Sequence, residues 1–304
     1  ASIGREGTVV QMDGSIADQF TKHFILNNQV RKILLILGIS AGFAAVFGTP
    51  MAGAIFSLEV LLVGRLGYQA ILPSALTAMV ADQTCTWWHV AHTKYTIAAI
   101  PTIQGNLLIW CIVAGAIFGL TALFFSRAVH FFEELFKNKI NYPPFRPMIG
   151  GIMIALAVYL MHTTKYIGLG IPTIEAAFKT DLLPYDFLLK IAFTAYTLGA
   201  GFKGGEVTPL FFIGATLGNT LSFFIPLPMA LLAGMGFVSV FAGATNTPIA
   251  CTIMSIELFG IDCGIFVGFA CLAAYFFAGP TGIYSSQLKI GPKYFIYKKL
   301  VSSN

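Results

Sequence analysis

The sequence predicts an all-α integral membrane protein built from two related halves. Three features lead there: scarce charge, apolar segments cut by glycine and proline, and two motifs that each occur twice. Charged residues are 10% of the 304, against about 25% in soluble domains, and mean hydropathy is +0.80. Apolar stretches recur along the chain and leave no soluble domain of useful size.

The elements follow in order. At Gly4-Arg5-Glu6-Gly7-Thr8 the glycines let the backbone curl, and a helix is expected to run on through Val9, Val10 and Met12. Ile33 to Phe47 stops before Gly48-Thr49-Pro50, and Ile55 to Val63 stops at Gly64-Arg65. Leu107 to Phe125 approaches the ~20 apolar residues that a spanning helix needs. After Gly204-Gly205-Glu206-Val207-Thr208-Pro209, a run from Leu210 to Ile225 stops at Pro226. Pro209 suits a first helical turn, with Thr208 as its expected N-cap. Such interrupted segments predict helices that begin or end inside the bilayer, where irregular backbone survives only if protein or a water-filled cavity covers it.

The motifs repeat. TPMAGAIFSLEV (Thr49 to Val60) and TPIACTIMSIEL (Thr247 to Leu258) share Thr, Pro, Ala, Ile, Ser and Glu without a gap, 198 positions apart. The glycine motifs at Gly4 and Gly204 lie 200 apart. Residues 1–100 are therefore expected to be the C-terminal part of a first repeat whose N-terminal part precedes this chain, and 101–304 a second repeat, together forming one transmembrane domain. Paired, interrupted segments in two halves point to a transporter's binding site near the midplane.

Other chemistry has little support. The five cysteines, Cys85, Cys111, Cys251, Cys263 and Cys271, form no CxxC pair and read as buried small side chains. His89 and His92, beside Trp87 and Trp88, read as an interfacial belt rather than a metal site. No cofactor is called for, nucleic acid lacks a basic aromatic patch, and an enzyme lacks a paired nucleophile and base. Lys289, Lys293, Lys298 and Lys299 read as a cytoplasmic basic end.

Helix N-termini in apolar sequence present unpaired amides and a positive dipole end, so two of them facing one point would make an anion site from backbone alone. Glu6 then competes with the anion: ionised, it occupies the amides itself, and protonated, it is neutral and can leave, which couples anion entry to proton uptake. Glu206 is expected to act more through its amide than its side chain. Glu59 and Glu257, which end the second motif, are expected to cap or cross-link helix ends, although a proton role is open to them. Arg5 would attract anions or pair with a carboxylate.

The run Gly4-Arg5-Glu6-Gly7, the pair TPMAGAIFSLEV and TPIACTIMSIEL, the run GAGFKGGEVTP and GPTGIYSS near the end resemble the CLC family of anion channels and anion/proton antiporters. The resemblance implies a fold of two inverted-topology repeats with tilted, broken and re-entrant helices, in a homodimer with one pore per subunit. It implies that Glu6 is the gating glutamate, that the amides of Arg5, Glu6, Gly7, Glu206 and Val207 line the anion path, and that Tyr284 supplies a hydroxyl. Thr8 and Val207, where chloride-handling members carry proline and an aromatic, resemble the bacterial fluoride/proton antiporter branch. Val60 stands where many exchangers have a second, internal glutamate, so Glu6 is expected to serve both sides by moving, with Thr208 as a polar partner. The implied function is fluoride export driven by protons across a bacterial inner membrane by a multi-pass protein. The alternatives are a chloride/proton antiporter and a passive anion channel.

Overall fold

In this computed structural model residues 1–61, 68–280, 282–284, 287 and 293 are described. Among them are twelve α-helices and no strand: α1 (Glu6–His23), α2 (Asn28–Phe47), α3 (Pro50–Leu61), α4 (Ile71–Trp87), α5 (Gly105–Lys139), α6 (Phe145–Met161), α7 (Ile171–Ala177), α8 (Asp186–Gly199), α9 (Val207–Leu221), α10 (Met229–Thr245), α11 (Pro248–Phe259) and α12 (Gly264–Phe277). The glycine and proline punctuation sets these ends. Asn27 caps α2 by accepting the amide of Val30, and Gly48 ends it in the left-handed conformation at φ 64°. Pro50 then opens α3. The expected stop of that helix at Gly64-Arg65 lies outside the described residues.

Two expectations are corrected. Thr208 is no N-cap: that position falls to Glu206, which makes no side-chain cap, and Thr208 lies inside α9 with its hydroxyl turned to Glu6. The span foreseen at Leu107 to Phe125 continues for 35 residues in all. Its polar last turns carry a Glu133–Lys137 ion pair at 2.6 Å. Among the described residues, α2 and α5 are the two helices long and apolar enough to cross a membrane unaided. The helices α3, α6, α9, α10, α11 and α12 are apolar but shorter.

The last four helices follow one another as the first four do. α1 packs on α2, α2 on α3 and α4, and α3 on α4, while α9 packs on α10, α10 on α11 and α12, and α11 on α12. α10 ends at Asn246, φ 59°, as α2 ends at Gly48. The two sets meet through equivalent residues. Phe43 and Phe241, 198 positions apart, stack with centroids 6.5 Å apart. Glu59, at the end of α3, accepts the amides of Ile249 (3.2 Å) and Ala250 (2.9 Å) at the start of α11. Glu257, at the end of α11, accepts those of Met51 (2.9 Å) and Ala52 (2.8 Å) at the start of α3. Two helices that each cap the other's N-terminus run in opposite directions, the pattern an inverted repeat produces.

Close helix contact fills the centre. A Cβ on Gly214 of α9 would collide with the carbonyl of Gly236 on α10, and one on Gly236 with that of Gly214, so the two backbones touch as small residues allow in membranes. Cys111, Cys251, Cys263 and Cys271 are buried free thiols. Lys293 departs from the expected basic end: it is 2% exposed, donates to Asn246 Oδ1 at 2.7 Å and lies over the Tyr275 ring. Lys289, Lys298 and Lys299 lie outside the described residues.

Candidate functional site

The two glycine motifs meet. Gly4 and Gly205 exchange both backbone hydrogen bonds, N–H to O at 2.7 and 2.8 Å, as a single antiparallel bridge. This brings the first turns of α1 and α9 side by side although they lie some two hundred residues apart in sequence. Each helix starts here with amides that no intrahelical carbonyl can reach. Among the described residues those of Glu6, Gly7, Glu206, Val207 and Thr208 donate to no protein acceptor. The helix starts supply both donors and positive dipole ends to one place.

The Glu6 carboxylate lies in this junction. Its Oε2 accepts the amide of Arg5 at 2.9 Å and the hydroxyl of Thr208 from α9. Two glycines make room. A Cβ on Gly4 would stand 2.7 Å from both Glu6 Oε2 and Thr208 Oγ1, and one on Gly205 would stand 2.8 Å from the Gly7 nitrogen. A side chain at Gly4 would thus unseat the carboxylate, and one at Gly205 would cover an open amide.

Two cavities with no lining residue in common flank the junction. A smaller one, about 190 Å³, is lined by Arg5, Glu6 and Thr208 together with His92, Tyr95 and Phe211. A larger one, about 820 Å³, is lined by Gly7, Gly204, Gly205, Glu206, Tyr284 and Gln287, and extends down α1 past Gly14 to Asp18. Tyr284 is thus beside Glu206 and Gly7, whereas Glu6 and Thr208 face the other cavity. The Glu206 side chain makes no hydrogen bond or ion pair among the described residues. Arg5 is exposed and likewise unpaired with any carboxylate there, leaving its charge toward the smaller cavity. Val207 is 4% exposed and packs in the core. No group of three or more His, Cys, Asp or Glu side chains is placed to hold a metal among the described residues.

Three residues escape the sequence reading. His92, which the sequence offers only as part of an interfacial belt, has its Nε2 2.8 Å from the Ala45 carbonyl in the last turn of α2, and its ring lines the Glu6 cavity. Tyr95 stacks on Phe178, centroids 5.1 Å apart, in the same wall. Gln287 donates to the Val60 carbonyl at 3.0 Å and that of Thr245 at 2.6 Å. Nothing in local sequence marks them, because their partners are backbone carbonyls or rings brought in by the fold. A pentapeptide spelling G-x-S-x-G, Gly38 to Gly42, is also present. Ser40 lies within α2, fully buried, and donates to the Ser74 carbonyl at 3.0 Å, so it is not a nucleophile on a strand-to-helix turn.

A family profile described as "Voltage gated chloride channel" matches residues 1–279. The chain belongs to this family. A "Chloride/fluoride channel protein" of Pseudomonas syringae is 50% identical over 293 residues, 94% of this chain. A "Voltage-gated ClC-type chloride channel ClcB" of Salmonella typhimurium is 26% identical over 86% of it. The chain spans 65% and 64% of the lengths of these relatives, under two thirds in each case. A solved CLC-type fluoride/proton antiporter superposes with a TM-score of 0.91 at 35% identity, over 94% of this chain and 73% of its own. A slow cyanobacterial Cl⁻/H⁺ antiporter superposes at 0.72 with 19% identity, over the whole of this chain and 72% of its own, a likeness of fold. The chain thus has the CLC fold, all-α and membrane-embedded.

Proposed function

We propose that this chain carries the transport core of a fluoride/proton antiporter that exports fluoride across a bacterial inner membrane. One observation carries the reading. The Glu6 carboxylate occupies the Arg5 amide and the Thr208 hydroxyl where two helix N-termini meet, between two separate cavities. An ionised Glu6 is an anion in an anion's place. On protonation it loses its charge and its claim on the donors, and fluoride enters as the proton arrives. The amides of Glu6, Gly7, Glu206, Val207 and Thr208 receive the ion, the Thr208 hydroxyl joins them, and Tyr284 donates from the larger cavity. Arg5 adds positive potential on the Glu6 side.

Fluoride suits this site because a small, hard anion holds its water tightly and exchanges it only for dense donors. Likeness to the Pseudomonas protein and to the fluoride/proton antiporter supports the same choice. We further propose that residues 1–100 belong to a first repeat and 101–304 to a second, and that the protein works as a lipid-embedded homodimer with one pore per subunit.

The test is flux in liposomes under a fluoride gradient, with voltage clamped by a potassium ionophore and protons recorded alongside. The expected outcome is fluoride efflux that drives protons the opposite way, with the proton flux abolished in Glu6→Gln. Fluoride flux without protons would mean a passive channel, and chloride moving at least as well would mean a chloride exchanger.

A further inference from the structure

Proton coupling needs a route between Glu6 and the solvent on the side of the smaller cavity. Adjoining that cavity is a third, about 390 Å³, whose lining includes Lys94, Thr96, Glu175 and Lys179. Lys94, Thr96 and Lys179 are exposed, so this space opens to solvent. The two cavities share Ala91, His92, Thr93 and Tyr95, and this short segment therefore stands between Glu6 and the open space. Of these four side chains, His92 and Tyr95 can titrate. A phenol holds its proton at neutral pH, whereas an imidazole gains and loses one there.

The fold fixes which ring nitrogen is available. Nε2 lies 2.8 Å from the Ala45 carbonyl, and a carbonyl oxygen only accepts, so the neutral ring carries its hydrogen on Nε2 and leaves Nδ1 a bare acceptor. Gly48 gives the ring its place, since a Cβ there would stand 3.0 Å from Nδ1. Nδ1 has no hydrogen-bond partner among the described residues, yet the buried side-chain atoms left unpartnered there are Thr49 Oγ1 and Ser74 Oγ. Nδ1 is therefore open to water. The smaller cavity, at about 190 Å³, holds about six waters of about 30 Å³ each, so a few of them bridge the ring and the Glu6 carboxylate. The titratable and charged groups around the ring are Arg5 and Glu6 at the start of α1, Asp82 and Cys85 of α4 with His89 after it, Lys94 and Tyr95 on its own segment, Glu175 of α7, Lys179 after that helix, and Glu257 of α11. The last turn of α2 brings none. Cys85 shares the Ala45 carbonyl at 3.6 Å, Glu257 is taken up by the amides of α3, and no group forms an ion pair with His92 among the described residues.

Resting on the proton-coupled reading above, we infer that His92 is the proton-transfer residue between Glu6 and the solvent of the third cavity. Nδ1 takes a proton from that solvent, and the ring becomes a cation. The Nδ1–H bond then breaks as an O–H bond forms on the Glu6 carboxylate through intervening water, and neutral Glu6 gives up its donors to fluoride. The ring is neutral again, with Nε2 still on the Ala45 carbonyl. Run backwards, the same steps release the proton, and no other species is consumed.

The experiment compares wild type, His92→Gln and His92→Ala in liposomes under a fluoride gradient, recording fluoride and proton flux between about pH 5 and 8, where imidazole titrates. His92→Gln keeps an N–H donor for the Ala45 carbonyl but carries no proton. It is expected to slow coupled exchange at least about tenfold and to flatten its pH dependence, and free imidazole in the buffer is expected to restore proton flux to His92→Ala. A histidine that only braces the end of α2 would show neither effect. His92→Gln with the rate and profile of wild type overturns this inference alone, as does a wild-type rate that stays constant across that pH range, whether or not the variants fold. Wild type that moves fluoride without protons overturns the antiport reading and this inference with it.

Discussion

At the scale of single residues, the proposed function makes the junction a contest between two anions for the same few donors. The Glu6 carboxylate takes one amide and one hydroxyl, and each hydrogen bond to a charged group contributes about 1.5–3 kcal/mol. The Arg5 amide is backbone and cannot be removed by substitution, but the hydroxyl can. Thr208→Val keeps the shape of the side chain, which is 5% exposed, and deletes the donor both for Glu6 and for fluoride. Coupled exchange is expected to fall about tenfold or more in fluoride-driven proton flux, with Thr208→Ser near wild type. An unchanged Thr208→Val would mean that the hydroxyl has no part in the cycle.

At the scale of elements, the helix ends were legible because glycine and proline act locally. Gly48 accepts a left-handed conformation and Pro50 opens α3 whatever the rest of the chain does. What local reasoning could not reach were contacts made by the fold. Thr208 looks like a cap beside Pro209, yet its partner is Glu6, 202 positions away. Lys293 looks like part of a solvated tail until Asn246 and Tyr275 close around it. The repeat left open whether the two glycine motifs face one point, and the bridge between Gly4 and Gly205 that brings them together is made by the fold. Between these cases stand Glu59 and Glu257, for which the sequence left a cap and a proton role open. Their reciprocal bonds to the starts of α11 and α3 favour the cap. Glu257→Ala is expected to cost on the order of 1–3 kcal/mol as a lower melting midpoint in detergent. Glu59→Ala, which strips a carboxylate only 7% exposed, is expected to cost at least as much. Surviving protein should keep its proton-to-fluoride ratio, and a changed ratio would instead give these carboxylates a part in coupling.

At the scale of the whole molecule, neither half holds the junction alone. α1 brings Glu6 and the Gly7 amide, α9 brings Thr208 and the amides of Glu206 and Val207, and the bridge and the α3–α11 clamp hold the two sets of helices together. A ligand gripped by both halves stabilises the folded state over every state in which they part, by RT ln(1 + [L]/Kd), about 2.7 kcal/mol at a hundredfold excess over Kd. Fluoride is therefore expected to raise the melting midpoint of the purified protein, and equimolar chloride to raise it less, because chloride replaces its looser hydration with fewer gains from dense donors. Gly205→Ala supplies the decisive control. Its new methyl would sit 2.8 Å from the Gly7 nitrogen, so the fluoride-dependent shift should vanish even if the halide-free midpoint changes. A shift that survives in Gly205→Ala would place the ion elsewhere, and equal shifts with both halides in wild type would remove the selectivity on which fluoride export depends.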